Sequence, residues 1–336
     1  MRNTRALIAV LALGVVAPQY GQAQSSPYAG KTITIVVGYK PGGGYDATAR
    51  LLARHLPDHI PGKPTVIVQN MPGANSLIAA NHVYNVAKPD GFTIGTFNRN
   101  LPIAQLTNVA GVKFDMRKFA WIGSAASEST ILAIRNDLPY KNFDEMKKSG
   151  KQIVIGATGP GANTYDFPLL VKEFLGVDLK IVSGYSSSSD IMLAIERKEA
   201  DGRAGSYSSI LPFIDRKLVR PVIRARASEP GIEKLPVDED LAPTPRDKAI
   251  MALRSAPEVI GRPYVMPPGT PDALVKIMRD AFAKAIKDPK LIAEAKKAKM
   301  DLNFVSGDEA LKVINEVLAQ PKDIVAELGK YIKFGE

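Results

Sequence analysis

Two glycine-rich stretches carry most of the chemistry this sequence offers. One is Pro41-Gly42-Gly43-Gly44-Tyr45-Asp46. The other is Gly159-Pro160-Gly161-Ala162-Asn163-Thr164-Tyr165-Asp166. Glycine tolerates positive φ and lets a ligand approach the backbone closely. If a helix starts at each Tyr-Asp pair, its first N–H groups have no intrahelical acceptor, and its dipole favours an anion there. The chemistry on offer is therefore recognition of a small anion by main-chain N–H groups. Tight turns are the plainer alternative, and Asp46 and Asp166 read equally well as helix N-caps. A third stretch, Asn70-Met71-Pro72-Gly73-Ala74-Asn75-Ser76, has the same character, with Asn75 or Ser76 available to cap a following helix.

Covalent and metal chemistry have little material. The chain has no cysteine and three histidines, which removes thiol catalysis, zinc ribbons and a lipoprotein anchor. His55 and His59 have zinc-compatible spacing, but Pro57 lies between them and no HExxH glutamate accompanies them. Gly42-x-Gly44-x-x-Ala47 fits a relaxed dinucleotide fingerprint. The acid needed after the second strand is replaced by Gln69-Asn70. Gly30-Lys31-Thr32 lacks the first P-loop glycine, and no G-x-S-x-G elbow occurs. Ser186 to Ser189 read as a ligand-facing loop. No nucleophile–base pair stands out, so no catalytic residue, metal or cofactor is expected. A secreted α/β enzyme acting on a small anion is the rival reading; turnover of a bound compound separates the two.

The elements around these loops alternate. Residues 32–38 (TITIVVG) are β-branched and continuous, as in a strand buried on both faces. A helix is expected over 45–55, a strand over 65–69, a helix over 76–86 and a strand over 92–97. The pattern restarts with strands at 152–156, 179–183 and 220–224 and helices at 165–175 and 190–197. Such alternation predicts two α/β lobes, each with a mostly parallel sheet flanked by helices. In such sheets the glycine loops fall at the carboxyl ends of the strands, where ligands bind. Residues 229–263, rich in proline and charge, read as a surface connection. Thr270-Pro271-Asp272 opens a helix, and further helices fit 289–299 and 308–331, packing back on the first lobe.

The whole chain has 336 residues, 45% of them hydrophobic and 23% charged, a globular composition sized for two domains. Arg2 and Arg5, an apolar run over 6–17 and Gly21-Gln22-Ala23 predict a signal peptide over 1–23, cleaved near Ala23. Cleavage lowers the formal charge from +10 to about +8. An exported, soluble protein is expected. The basic residues are dispersed, and the C-terminal lysines fit solvated helix faces, so no nucleic-acid partner is expected.

Three motifs in order have a further meaning. They are Gly38-Tyr39-Lys40-Pro41-Gly42-Gly43-Gly44-Tyr45-Asp46, then Val68-Gln69-Asn70-Met71-Pro72-Gly73-Ala74, then Pro89-Asp90-Gly91-Phe92-Thr93-Ile94-Gly95. Together with the Gly159–Asp166 loop, residues 194–202 and Pro267-Pro268-Gly269-Thr270-Pro271, they resemble the Bug, or TctC-like, extracytoplasmic solute receptors of tripartite tricarboxylate transporters. The resemblance runs through essentially the whole mature chain. It implies a type II periplasmic binding protein fold: 24–123 in lobe 1, 124–239 in lobe 2, and 240–336 returning to lobe 1. It also implies a monomer that closes on a carboxylate held by main-chain N–H groups and waters, and transient contact with transporter membrane subunits. Motif matching places first-lobe contacts at Gly43, Gly44, Tyr45, Asp46, Asn70 and Gly73. Second-lobe contacts fall at Gly161, Ala162, Asn163 and Thr164. Tyr45 replaces a usual Thr or Ser, Gln69 a Glu and Asn75 a Gly, and Ser183-Gly184-Tyr185-Ser186 replaces P-Y-x-G. Tyr45, Phe97, Tyr165 and Tyr185 are expected to line the cleft and to suit an aromatic or otherwise bulky carboxylate. A sensing receptor for a signalling partner is the other open role.

Overall fold

The computed structural model describes residues 26–298, 300 and 302–332. The expected signal peptide lies outside these. Eleven strands form two sheets among the described residues: β1 (Thr32–Val37), β2 (Thr65–Asn70), β3 (Thr93–Thr96), β4 (Ala120–Ser124), β5 (Thr130–Arg135), β6 (Ile153–Gly156), β7 (Leu179–Val182), β8 (Gly202–Ser206), β9 (Val219–Arg224), β10 (Pro263–Met266) and β11 (Val305–Ser306). The first sheet has the order β11-β4-β10-β3-β1-β2, the second β7-β6-β8-β5-β9.

Each sheet has a parallel nucleus with antiparallel strands added. β1 pairs in parallel with β2 (Thr32 opposite Thr65) and with β3 (Thr34 opposite Thr93). β10 then enters antiparallel between β3 and β4. In the second sheet β6 is parallel to β7 and β8, while β5 runs antiparallel between β8 and β9. The β-branched run of β1 is explained by burial on both sides. Ile33, Ile35 and Val37 enter one apolar cluster with Met278, Phe282 and the helix Asp272–Ile286. Val36 enters the other. That second cluster continues into the second lobe through Leu132, Ile155 and Phe167.

The chain passes between sheets twice, through 125–129 and 225–262. These segments bond each other: Glu128 N donates to Glu258 O at 2.9 Å and Ala125 N to Arg262 O at 2.9 Å. The return segment differs from the expected surface connection. It folds into a helix, Pro245–Ser255, followed by the 3-10 turn Ala256–Ile260, and buries Ile250, Met251, Leu253, Arg254 and Glu258. Its charges are inside because they pair there: Arg254 Nη2 meets Glu258 Oε1 at 3.0 Å. The helix expected over 308–331 is two, Gly307–Leu318 and Lys322–Leu328, because Pro321 cannot continue the first. The helix Gly307–Leu318 packs on β4; Lys322–Leu328 packs on Pro245–Ser255, and Tyr331 meets Phe174 of the second lobe edge-on at 5.2 Å.

Candidate functional site

The helix Gly44–His55 follows β1 and the helix Asn163–Leu175 follows β6, so both glycine loops sit at strand carboxyl ends and face each other. Their first-turn N–H groups at Gly44, Tyr45, Asn163 and Thr164 have no intrahelical carbonyl to reach. The two aspartates close these loops from behind. Asp46 Oδ2 accepts from Gly42 N at 3.0 Å, and Asp166 Oδ1 from Gly161 N at 2.9 Å. Neither serves as an N-cap; Gly43 and Ala162 hold those positions. Burial works against the Asp46 carboxylate. Hydrogen bonds from Arg50, Asn70 and Gly42 outweigh it and hold its pKa below the usual range. At Asp166 burial wins over the Gly161 hydrogen bond and the charge of Arg254, and its pKa is pushed up to about 7.

Between the lobes lies a cavity of ≈ 90 Å³, several times the ~10–15 Å³ that one water needs. Gly43, Gly44, Tyr45, Ala162, Asn163 and Thr164, all expected at the site, line it. Other expected residues lie elsewhere. Asp46 and Asn70 face each other behind the first loop, Asn70 Nδ2 donating to Asp46 Oδ1 and to Tyr39 O at 2.9 Å each. Gly161 turns its carbonyl to Asn98 Nδ2 at 2.8 Å. Gly73 and Tyr185 line a neighbouring recess that shares Tyr39, Lys40, Thr158 and Ser186 with the cavity. Phe97 is a correction. Its ring folds under Gly95, where a methyl group would collide with it, and packs on Phe119 in the core. Tyr165 also stays off the cavity wall. In the third loop Ser76 holds the N-cap position of the helix Leu77–Asn85, but its side chain makes no cap bond. Its hydroxyl joins Gly38 O to Asn98 N at 3.2 and 3.1 Å, while Ala74, Asn75 and Ser76 all take positive φ.

Three arginines that motif reading missed dominate the cavity wall: Arg99, Arg203 and Arg262, at 3%, 2% and 5% exposure. One carboxylate answers them. Glu128, on the outgoing crossing, takes Arg99 Nη1 at 2.8 Å on Oε2 and Arg262 Nη2 at 2.6 Å on Oε1. Burial opposes the charge of Arg99, but Glu128 more than compensates, and its pKa rises. Arg262 lies 4.6 Å over the Tyr45 ring, which stacks on Tyr39 at 5.0 Å; the Tyr45 hydroxyl accepts from Arg99 N at 3.0 Å. Arg203 differs. Its guanidinium donates to Ala204 O, Ser188 O and Ser209 Oγ at 3.2, 3.1 and 3.0 Å, and no carboxylate among the described residues pairs with it. Burial, then the nearby Arg262 charge, lower its pKa to about 10.

Glycines make room for two of these side chains. A methyl group at Gly44 would collide with Arg262, and one at Gly205 with Arg203. The signal for Arg203 was present in the sequence as a lone charge inside Gly202-Arg203-Ala204-Gly205, a strand-like run of small residues. Arg262 carries no comparable signal.

The lobes touch directly around the cavity. Ser189 Oγ donates to Gly42 O at 2.8 Å, Lys40 Nζ to Ser186 Oγ at 3.1 Å and Asn75 Nδ2 to Pro160 O. The amides of Asn100 and Asn163 meet at 2.7 Å. A buried, basic space closed by two lobes can hold a small anion out of water.

Comparison with known proteins agrees with this geometry. A family profile described as tripartite tricarboxylate transporter family receptor matches residues 48–330. The UPF0065 protein in the gbd 5' region of Cupriavidus necator is 26% identical over 335 residues, covering 96% of this chain and 94% of that one. Among solved structures, the periplasmic binding protein BugD matches with a TM-score of 0.73 at 21% identity, over 91% of this chain and 100% of that one. MatC from Rhodopseudomonas palustris with bound malate matches with a TM-score of 0.70 at 20% identity, over 88% and 99%. The fold is that of a type II periplasmic binding protein, with two mixed sheets flanked by helices.

Proposed function

This chain belongs to the tripartite tricarboxylate transporter receptor family, and from that premise we propose that it captures a small organic carboxylate between its lobes and delivers it to the membrane subunits of such a transporter. It is a solute-binding receptor, not an enzyme. Periplasmic residence belongs to the proposal, as does a single chain as the working unit.

The observation that carries the reading is the cavity itself. Two helix N-termini and three buried guanidinium groups surround it, and one carboxylate opposes them. A neutral solute leaves those charges unanswered; a carboxylate answers them with charge-assisted hydrogen bonds. MatC, of the same fold, holds malate. Ligand contacts are proposed at Gly43, Gly44, Tyr45, Ala162, Asn163 and Thr164, with Arg203 and Arg262. The finer expectation of an aromatic or bulky acid rests on the wall made by Tyr39 and Tyr45. Binding shifts an open–closed equilibrium toward the closed form.

Native mass spectrometry of the purified protein tests the reading. A stoichiometric small organic acid is expected. A stoichiometric neutral solute overturns it. Succinate or citrate binding as tightly as benzoate-type acids removes the bulky-ligand refinement and leaves the receptor standing.

A further inference from the structure

We infer that Arg203 is the specificity-determining residue of this site: its guanidinium reads the charge of the ligand through a side chain and holds a second carboxylate of it. The inference rests on the receptor reading and deepens it. It differs from the main-chain capture that the family resemblance implies, because here a buried guanidinium holds one end of the ligand.

The charges on the cavity wall are unbalanced by two. Arg99, Arg203 and Arg262 are cationic and deeply buried, and Glu128 is their single carboxylate partner among the described residues. Glu258, the next acid on the crossing segments, is already paired with Arg254. Lys40 also lines the cavity, but it is exposed and donates to Ser186, so solvent screens it. Arg99 and Arg262 share Glu128, which leaves Arg203 as the wall's cation without an acid.

The remaining donors are placed for an anion. A guanidinium has five N–H groups. Those of Arg203 donate to Ala204 O, Ser188 O and Ser209 Oγ, which fixes the plane of the fork and leaves further N–H groups for the cavity that the side chain lines. The chain keeps Gly205 bare beneath this group. Arg262, on the return crossing, lies close enough to Arg203 for its charge to lower the proton affinity of Arg203. Two like charges facing one buried space repel until an anion lies between them. A monocarboxylate neutralises half of the excess, and a dicarboxylate all of it. The Tyr39–Tyr45 wall asks for a carbon body between the charges, which sulfate and phosphate lack.

Isothermal titration calorimetry on the full mature chain tests this with matched probes: succinate against butyrate, phthalate against benzoate, and sulfate. The wild type is expected to bind one dicarboxylate at least ~100-fold more tightly than the monocarboxylate of the same skeleton, and more tightly than sulfate. Arg203→Gln should weaken that dicarboxylate at least ~30-fold while changing the monocarboxylate less than ~5-fold. Arg203→Lys, which keeps the charge and loses the fork, should retain the preference for two charges at reduced affinity. Equal wild-type affinity for mono- and dicarboxylate overturns the inference, as does an R203Q loss that is the same for both. Sulfate binding as tightly as the dicarboxylate overturns the organic class. If neither variant folds, the wild-type ratio decides alone. A chain that binds monocarboxylates and no dicarboxylate keeps the receptor reading and loses this one; a chain that binds no acid loses both.

Discussion

Asp46 and Asp166 stand at matching places in the two lobes and do the same work under opposite electrostatics. Each closes a glycine loop by accepting one main-chain N–H. Asp46 has Arg50 and Asn70 beside it and stays ionised easily. Asp166 is fully buried, its Oδ2 has no hydrogen-bond partner among the described residues, and its pKa is pushed up to about 7, as is that of buried Asp238. This gives stability a pH dependence with a definite sign. Both folded-state pKa values lie above the ordinary 3.8, so the folded chain holds protons that the unfolded chain has released. Their contribution is complete below about pH 4 and is lost as pH rises through about 7. Urea midpoints at pH 5 should exceed those at pH 8, and Asp166→Asn should narrow the gap. A midpoint that rises steadily from pH 5 to 8 contradicts the assignment. The loops were legible in the sequence at this scale. Their aspartates read as either caps or ligand contacts; the structure excludes the caps and shows each one tying its own loop.

Helix Gly44–His55 is shaped by an arginine from a distant part of the chain, and strand β8 by an arginine of its own. Gly44 and Gly205 are bare so that Arg262 and Arg203 can lie against the backbone. Gly44→Ala should displace Arg262 from Tyr45 and Glu128, lower stability by ~1–3 kcal/mol, and weaken carboxylate binding at least ~10-fold. Denaturation and calorimetry on the variant read these two effects separately; unchanged affinity contradicts the placement of Arg262 on the cavity wall. The same tertiary contacts explain which elements could be read from sequence. β1, β2, β6 and β7 carry β-branched runs. β8 (GRAGS) carries none, because a side chain at Gly202 would strike the β5 backbone at Ala133 and one at Gly205 would strike Arg203, and β10 opens with Pro263. Both enter the sheets from distant sequence, so local pattern did not reveal them. The buried helix Pro245–Ser255 was hidden by its charges, and its Arg254–Glu258 pair forms only on folding. Pro321 was visible and should have divided the last helix.

Direct hydrogen bonds hold the two lobes against each other. Asn98 is the central example: its backbone N–H donates to the Ser76 hydroxyl in the first lobe, and its side chain donates to Gly161 O in the second. Asn98→Ala should shift the equilibrium toward open. Apparent carboxylate affinity should fall ~3–10-fold, because only the closed fraction binds fully. Small-angle scattering without ligand should show a larger radius of gyration than the wild type; an unchanged radius and affinity contradict the latch. Two lobes with both glycine loops on the cavity between them were legible from the repeated strand–glycine–helix unit. The arginines were not, because charge burial is a property of the assembled cavity. The most direct test of the central claim is a thermal-shift titration of the mature protein with mono-, di- and tricarboxylates, aliphatic and aromatic, beside neutral sugars. The melting temperature is expected to rise with carboxylate concentration, by about 2.7 kcal/mol of added stability at a hundred times Kd. A melting temperature indifferent to every carboxylate, or raised only by a neutral solute, contradicts it.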